Sequence, residues 1–354
     1  MFKKLFRHLS WIDVFLRGIQ IITAIIILVG LFNTFTASQY SSEQWATLIF
    51  AGLAQGSIYA LIALGYTLVY GILLMINFAH GEVFMAGAFS TVFLARYMEK
   101  TGFLDQQPLI AIISLILFSA VISMTVALLL ERIAYRPLRN APRLIPLITA
   151  IGASFVIQYT FRGLYGPGFQ SYPEIKALRG MINVFGFEVP AVQLVVFFAA
   201  VALMLALYWY VEKTKAGVAM RAVSEDKDIA RLMGINIDKV IVTTFALGGA
   251  LAGAAGVFNG MFRPQGVFFF MGFFPGIKAF TAAVLGGIGN IPGAMFGGLL
   301  LGLIESIAPL SILEGLGIPS ANQLKDAVAF AVLVLILIYR PQGIFGERLS
   351  EKKA

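Results

Sequence analysis

Residues 212–239 read EKTKAGVAMRAVSEDKDIARLMGINIDK, and apolar runs at 190–211 and 240–262 flank this polar stretch on both sides. Eleven of its 28 residues are charged, against 12% of the whole chain. Apolar runs of about 18 residues or more are long enough to cross a bilayer as helices. We therefore predict two membrane spans joined by a short charged segment that offers a docking surface to a soluble partner.

The composition extends this prediction to the whole chain. Of the 354 residues, 59% are hydrophobic, which is more apolar surface than a soluble domain can bury. Membrane β-barrels show short segments of alternating polarity instead, and these runs do not alternate. The predicted fold class is all-α, a polytopic transmembrane helix bundle in the bilayer.

About ten spans are expected from the distribution of apolar residues. Their number and order decide on which side of the membrane each loop lies. The predicted segments are 12–32, 46–72, 82–98, 109–130, 144–161, 190–211, 240–262, 274–290, 293–311 and 324–340.

The orientation follows from Lys and Arg, which collect in cytoplasmic loops. They cluster at the start of the chain, after the fourth and sixth segments, and in the tail. An even number of spans places all four clusters on one side, so both termini are predicted to be cytoplasmic. This distribution also accounts for the net charge of +8 without a nucleic-acid partner. The clusters are Lys3, Lys4, Arg7 and Arg17; Arg132, Arg136, Arg139 and Arg143; Lys213, Lys215, Arg221, Lys227, Arg231 and Lys239; and Arg340, Arg348, Lys352 and Lys353.

Two segments leave alternatives open. Segment 274–290 is short and rich in glycine, so it is either a thin span or a re-entrant half-helix, which survives only when buried or facing water. The first segment follows a basic start and resembles a signal peptide, but no clear small-residue cleavage site follows it. A retained anchor is the favoured interpretation.

Several functions are excluded or unsupported by the residues. There is no cysteine, so disulfides and thiolate sites are excluded, and two histidines do not favour a metal site. No phosphate-binding G-x-x-x-x-G-K-[ST] loop or hydrolase motif occurs, so neither ATP binding nor a catalytic site is predicted. We expect no cofactor or metal in this chain and no enzymatic activity of its own.

Polar residues inside apolar sequence are candidates for a substrate pathway, because an unpaired charge costs several kcal/mol in a membrane. Asn77, His80 and Glu82 lie between the second and third segments. His80 and Glu82 would not face each other on one helix, although a turn at Gly81 would bring them together. The alternative is a surface loop in which Asn77 or His80 caps a helix.

Further pathway candidates lie in segments 46–72, 274–290 and 293–311. Glu305 is a lone carboxylate in an apolar run, and it is either a structural hydrogen-bond anchor or a pathway residue. Tyr66 and Thr281 are weaker candidates. Lys325 and Asp326 begin the last segment and are expected to form an interfacial pair.

The charged segment itself has the pattern of a short amphipathic helix. Ser224 is predicted to cap it, while Glu225, Asp226 and Asp228 favour its first turn. Ala230, Leu232 and Met233 supply its small apolar face, on either side of Arg231. Gly234 ends the helix in a left-handed conformation. An ordinary solvated loop is the alternative.

Residues 222–234 resemble the EAA-type loop of importer permeases of the ATP-binding-cassette (ABC) class, which inserts into a cleft of the ATPase subunit. Several further motifs, in order between about residues 45 and 346, resemble the LivH-type permease family of branched-chain amino acid importers. Residues 1–44 depart from that pattern. The motifs are Gly56–Gly71, Ile76–Glu82, Glu131–Pro137, Leu232–Asn236, Lys278–Gly289 and Ile291–Ala294.

The resemblance implies a permease domain at 45–346, with a coupling loop at 212–239. It also implies an N-terminal extension at 1–44 with an additional helix, and a cytoplasmic tail at 347–354. The implied partners are a LivM-like second permease, two ATPase subunits that bind ATP and magnesium, and an extracytoplasmic substrate-binding protein. Leucine, isoleucine and valine would cross the bacterial inner membrane.

Other functions fit the same residues. Permeases of this architecture that import urea, short amides or other amino acids are closely similar. A stand-alone secondary carrier would instead use His80 and Glu82 as a proton relay and would have no need of a capped cytoplasmic helix.

Overall fold

The computed structural model describes residues 11–37, 40–139, 141–142, 144–263 and 266–346. Within these ranges the chain is mostly helical and has little strand, as predicted. The predicted tail at 347–354 lies outside the described residues, as do the basic residues at positions 3, 4, 7 and 143.

Thirteen α-helices and one β-hairpin lie in the described ranges. The hairpin strands, β1 (Met181–Val184) and β2 (Phe187–Pro190), pair antiparallel. A π-helical turn extends the fifth helix at Glu131–Tyr135, and another extends the twelfth at Pro309–Leu313. The helices are α1 (Trp11–Ala37), α2 (Ser42–Leu73), α3 (His80–Lys100), α4 (Phe103–Gln106), α5 (Pro108–Leu130), α6 (Leu144–Tyr165), α7 (Ala191–Lys213), α8 (Lys215–Glu225), α9 (Lys227–Leu232), α10 (Ile237–Phe262), α11 (Phe273–Gly286), α12 (Ile291–Ala308) and α13 (Lys325–Tyr339).

Every predicted apolar segment falls on a helix. In the described part of the chain, eight helical runs are long and apolar enough to cross a membrane. The two other predicted segments are α3, which carries charged residues at both ends, and α11, which has 14 residues. At 1.5 Å per residue α11 is about 21 Å long, less than the roughly 30 Å of a hydrocarbon core. A short helix at 274–290 agrees with both alternatives, the thin span and the re-entrant half-helix.

Helix α2 forms the centre of the bundle. Nearly all of its residues from Ala54 to Val69 are buried, against α7, α10, α11 and α12. It begins with a capping box, in which the Ser41 side chain accepts from the Gln44 N–H and the Gln44 side chain accepts from the Ser41 N–H. Its contact with α12 is close because glycines face each other at Gly56 and Gly302.

The contacts define two ends of the bundle. At one end Arg139 bonds to Asp238, which joins the segment after α5 to the start of α10. The end of α13 lies at the same end as the start of α1, because the Tyr339 hydroxyl donates to the Leu16 carbonyl at 3.1 Å. Both contacts lie near the end of α2, because Leu73 lines one cavity with Arg139 and Asp238, and Gly71 lies beside Gly289, whose neighbour Asn290 donates to the Phe345 carbonyl. We call this end, formed by 131–139, 212–239 and 340–346, the charged end. The hairpin end, with β1 and β2, is opposite.

Gly302→Leu tests the α2–α12 contact. A Cβ at Gly302 would overlap with Gly56 Cα and would lie 2.5 Å from the Gly52 carbonyl oxygen. Because backbone cannot move aside cheaply, we expect the free energy of unfolding to fall by an amount at the upper end of ~1–3 kcal/mol. Thermal unfolding of the purified chain in detergent measures the change.

The matched control is Gly152→Leu, on α6, where a Cβ meets no atom within 4 Å. There we expect no loss, or a gain of up to about 1 kcal/mol from helix propensity. Equal melting temperatures for the two variants would show that the α2–α12 contact is not tight.

Candidate translocation site and coupling surface

Helix α3 begins inside the bundle and not at its surface. Its first residue, His80, packs against Gly65 and Gly248. Gly65 lies eight residues, or about 12 Å, before the end of α2, and Gly248 lies eleven residues, or about 16 Å, after the start of α10. The start of α3 therefore lies near the middle of the roughly 39 Å length of α10, which is the deeper of the two placements predicted for this segment.

Helix α11 begins at the same depth and faces the start of α3. A Cβ built on Gly81 would lie 3.1 Å from Gly276 Cα and 3.2 Å from the Gly272 carbonyl carbon. The backbones meet this closely only because neither Gly81 nor Gly272 has a side chain. Neither helix has a side-chain cap at its N-terminus, so both helix starts present partial positive charge at this depth.

A cavity of about 390 Å³ lies beside the two helix starts. Its polar lining consists of Tyr66, Glu82, Ser154 and Gln158, from α2, α3 and α6. The rest is apolar or aromatic, and the side chains of Phe155 and Phe273 at its edge are 52% and 42% exposed. The cavity therefore opens towards the side of the bundle, between α6 and α11. The apolar lining is Phe78, Ile151, Phe155, Phe270, Phe273 and Ile277.

Glu82 is the charged group of this cavity. It is 1% exposed, and its Oε1 accepts from the Gln158 amide at 2.7 Å and from the Ser154 hydroxyl at 3.3 Å. Its second carboxylate oxygen, Oε2, has no hydrogen-bond partner in the described part of the chain. A buried carboxylate oxygen without a donor is costly unless a ligand or water supplies one.

His80 and Asn77 do not join Glu82. The His80 ring packs edge-on against Tyr66, with ring centroids 5.0 Å apart, and faces α2 and α10. The turn that would bring His80 and Glu82 together is not observed, because both lie in the first turn of α3, two residues apart. The Asn77 Oδ1 accepts from the Ala79 N–H at 3.1 Å and from the Tyr135 hydroxyl at 3.0 Å, so Asn77 orders the segment before α3.

Glu305, the lone carboxylate of its apolar run, is paired across the bundle. Lys278 Nζ lies 2.7 Å from Glu305 Oε1 and 2.5 Å from Asp326 Oδ1. It also lies 3.3 Å from the Tyr59 hydroxyl. The expected pair between Lys325 and Asp326 is wrong, because Asp326 pairs with Lys278 and so joins α13 to α11. This ion cluster supports the structural interpretation of Glu305.

The remaining pathway candidate, Thr281, donates its hydroxyl to the Ile277 carbonyl on α11 and does not line the cavity. The sequence reasoning missed Lys278, Ser154 and Gln158. Lys278 is the one charged residue of α11 and Gln158 is the one amide residue of α6, which is the signal that would have singled them out.

The charged segment folds into two short helices, α8 and α9. The cap of α9 is Asp226, whose Oδ1 accepts from the N–H groups of Asp228 and Ile229. Ser224 lies inside α8 and donates to the Arg221 carbonyl, so its predicted role as cap is wrong. Gly234 has φ of +83°, the left-handed conformation predicted for the helix exit.

An apolar patch protrudes from α9 at the charged end. Ile229, Leu232 and Met233 are 60%, 86% and 78% exposed, whereas Ala230 is buried against the bundle. We call the three exposed residues the apolar patch. Helices that dock into a partner groove present such anchors within a charged rim.

Basic residues lie between the apolar patch and the bundle. A cavity of about 340 Å³ there is lined by Arg139, Lys227 and Arg231, together with Asp238 and the end of α2. Partial burial, and then the nearby Arg139 charge, lower the pKa of Lys227 below its usual value. Arg139 also bonds to Glu131 and Asp238, which ties the start of α10 to the π-helical turn that extends α5.

Within the described residues no group of three or more His, Asp or Glu side chains is arranged to hold a metal ion.

The fold and these sites define a multi-pass helical membrane protein with a polar cavity at mid-depth and a helical patch at its charged end. Residues 48–337 match the family described as branched-chain amino acid transport system / permease component. The high-affinity branched-chain amino acid transport system permease protein LivH of Salmonella typhimurium is 41% identical over 321 residues, covering 88% of this chain and 99% of LivH. The corresponding protein BraD of Pseudomonas aeruginosa is 42% identical over 310 residues, covering 85% and 95%.

The chain therefore belongs to the branched-chain amino acid transport permease family. It is a multi-pass protein of the bacterial inner membrane. Among solved structures, PsaBC from Streptococcus pneumoniae in complex with Fab matches with a TM-score of 0.41 at 13% identity, over 88% of this chain and 96% of that one.

Lys278→Met tests the ion cluster. Removing the cation leaves Glu305 buried with an uncompensated charge, for which a loss of about 3–5 kcal/mol in the free energy of unfolding is expected. Thermal unfolding in detergent measures it.

The double variant Lys278→Met, Glu305→Leu removes both buried charges, and Asp326 is half-exposed. We expect it to recover most of the lost stability. A single variant as stable as the unmodified chain would contradict the ion pair.

Proposed function

We propose that this chain is one permease subunit of an ATP-driven importer of branched-chain amino acids, and that it forms the pathway together with a second permease. The match to the permease family over 48–337 carries the proposal. The mid-depth cavity, with aliphatic and aromatic walls and one carboxylate, supports an amino acid with an apolar side chain as the solute. The chain itself would catalyse no reaction.

In the proposed topology the chain crosses the membrane ten times, with both termini in the cytoplasm. The hydrogen bond between Leu16 and Tyr339 supports this, because it places the start of α1 and the end of α13 at one end of the bundle. The basic segments 131–139 and 212–239 lie at that same end, as expected for the cytoplasmic side. Helices α3 and α11 would each cross together with the non-helical segment that precedes it.

The charged segment is the proposed coupling element. Two ATPase subunits would bind ATP and magnesium, and the apolar patch would insert into a cleft of one of them. Ser224, Glu225, Asp226, Asp228, Ala230, Arg231 and Gly234 shape or surround that patch. The exposure of Leu232 and Met233 supports docking, since two large apolar side chains stand in a charged surface.

The lateral opening of the cavity supports a second permease, LivM-like in the family pattern, packed beside α6 and α11. An extracytoplasmic binding protein would deliver the solute at the hairpin end. Residues 1–44, including α1, would be an addition to the common permease, since LivH of Salmonella typhimurium aligns over 99% of its length with 88% of this chain.

The test is purification of the tagged chain in mild detergent, followed by reconstitution in liposomes. Co-purification of ATPase subunits and a second permease, with ATP-dependent leucine uptake, is the expected result. Uptake of urea in preference to leucine would show that the chain belongs to an importer of urea or short amides instead. Uptake by the lone chain without ATP would replace it with a secondary carrier.

The double variant Leu232→Glu, Met233→Glu tests coupling. Charges in the apolar patch are expected to lower ATPase co-purification and ATP-dependent uptake at least tenfold, since burying an unpaired charge in the interface costs more than about 1.4 kcal/mol. Quantitative mass spectrometry of the purified complex measures the co-purification.

Phe185→Glu is the control, because Phe185 is equally prominent at 96% exposure but lies in the hairpin at the opposite end. It should leave ATPase binding unchanged. Normal ATPase binding by the double variant would exclude the apolar patch as the docking site.

A further inference from the structure

We infer that the cavity beside the starts of α3 and α11 is a binding site for a zwitterionic aliphatic amino acid, in which Glu82 binds the ammonium group and the start of α11 binds the carboxylate. This inference rests on the proposed function and names where in the permease the solute is held.

The ammonium position follows from the unpartnered oxygen of Glu82. Gln158 and Ser154 both donate to Oε1, which fixes the carboxylate and leaves Oε2 without a donor in the described part of the chain. An ammonium group supplies N–H donors and a positive charge, and hydrogen bonds between charged partners are the strong ones. A neutral amide would supply only a donor.

The carboxylate position follows from the helix starts. Among the described residues no carbonyl accepts the N–H of Phe274, in the first turn of α11, and no side chain caps that turn. The start of α3 adds a second partial positive charge, because Gly81 and Gly272 bring the two helices into backbone contact. Uncapped helix N-termini bind carboxylates through free N–H groups.

The side-chain position follows from the walls. Phe78, Phe155, Phe270, Phe273, Ile151 and Ile277 surround the polar groups, and they offer no further charge. A volume of about 390 Å³ lies in the range of roughly 300–1,000 Å³ that is usual for small-molecule sites. Polar or charged side chains would lose their hydration against these walls without a partner.

The chain has no cysteine, which allows a direct occupancy measurement. Ile151→Cys places one thiol at the edge of the cavity, where Ile151 is 45% exposed. The complex with its second permease and ATPases, but without the binding protein, is treated with a methanethiosulfonate reagent, and the mass of this chain is followed over time. We expect saturating L-leucine to slow modification several-fold.

The leucine analogues separate the two charged positions. Isopentylamine lacks the carboxylate and 4-methylpentanoate lacks the ammonium group, so each is expected to protect at least about tenfold more weakly than leucine. Phe185→Cys, in the hairpin turn, is the control thiol, and leucine should not alter its rate. Equal protection by 4-methylpentanoate would overturn the role of Glu82, and equal protection by isopentylamine would overturn the role of α11.

Glu82→Gln in the Ile151→Cys chain keeps the shape and removes the charge. We expect about tenfold weaker protection by leucine, and unchanged protection would overturn the inference. If this variant does not assemble, Ile277→Trp fills the cavity from α11 without changing Glu82, and it should abolish protection. Absence of protection in a complex that imports leucine with ATP would reject the site alone, whereas absence of leucine import would reject the proposed function.

Discussion

The structure depends on one constraint, which is that backbone N–H groups at membrane depth must meet a partner inside the protein. Two helices, α3 and α11, begin near the middle of the bundle, where an unpaired N–H group facing lipid would be costly. They begin against each other, with Gly81 and Gly272 in backbone contact, and they enclose a polar cavity. The same arrangement concentrates the positive ends of two helix dipoles around Glu82. Helix ends that would be costly in lipid are thereby buried in the protein, where they line a polar cavity.

Helix α11 is too short to span the membrane alone. Contacts at its start, its middle and its end hold it in place. Its start is held by the contact with α3. Its middle is held by Lys278, which joins α11 to α12 and α13 through two carboxylates. At its end the N–H groups of Ile344 and Phe345 donate to the carbonyls of Leu285 and Gly286, so the chain after α13 closes the last turn. The buried ion cluster therefore has a structural explanation, and Glu82 is left as the charged group of the cavity.

Much of this fold could be predicted from the sequence, because the helix positions follow from runs of apolar residues. The side of the membrane on which each loop lies stays a prediction from Lys and Arg. The short length of α11 and the left-handed conformation of Gly234 could also be predicted, because glycines indicate both. The partners of the buried charges could not be predicted. Glu305 and Lys278 are 27 residues apart, and Glu82 and Gln158 are 76 apart, so no local pattern connects them. The cap at 226 was misplaced by two residues because Ser224 and Asp226 both favour a cap, and only the extent of α8 decides between them.

The position of α10 relates the charged segment to the cavity. Asn236 caps α10 only two residues after Gly234, so the apolar patch and the start of α10 are joined by a short, fixed connection. Eleven residues further on, Gly248 contacts both Gly65 and His80, at the start of α3. Close packing through glycine leaves little room for α10 to shift without moving α3. A continuous path of packed backbone therefore runs from the patch to the place where α3 and α11 meet, and Glu82 directly follows Gly81 in that contact. In the proposed importer, the coupling surface and the cavity would then be the two ends of one connection of packed helices.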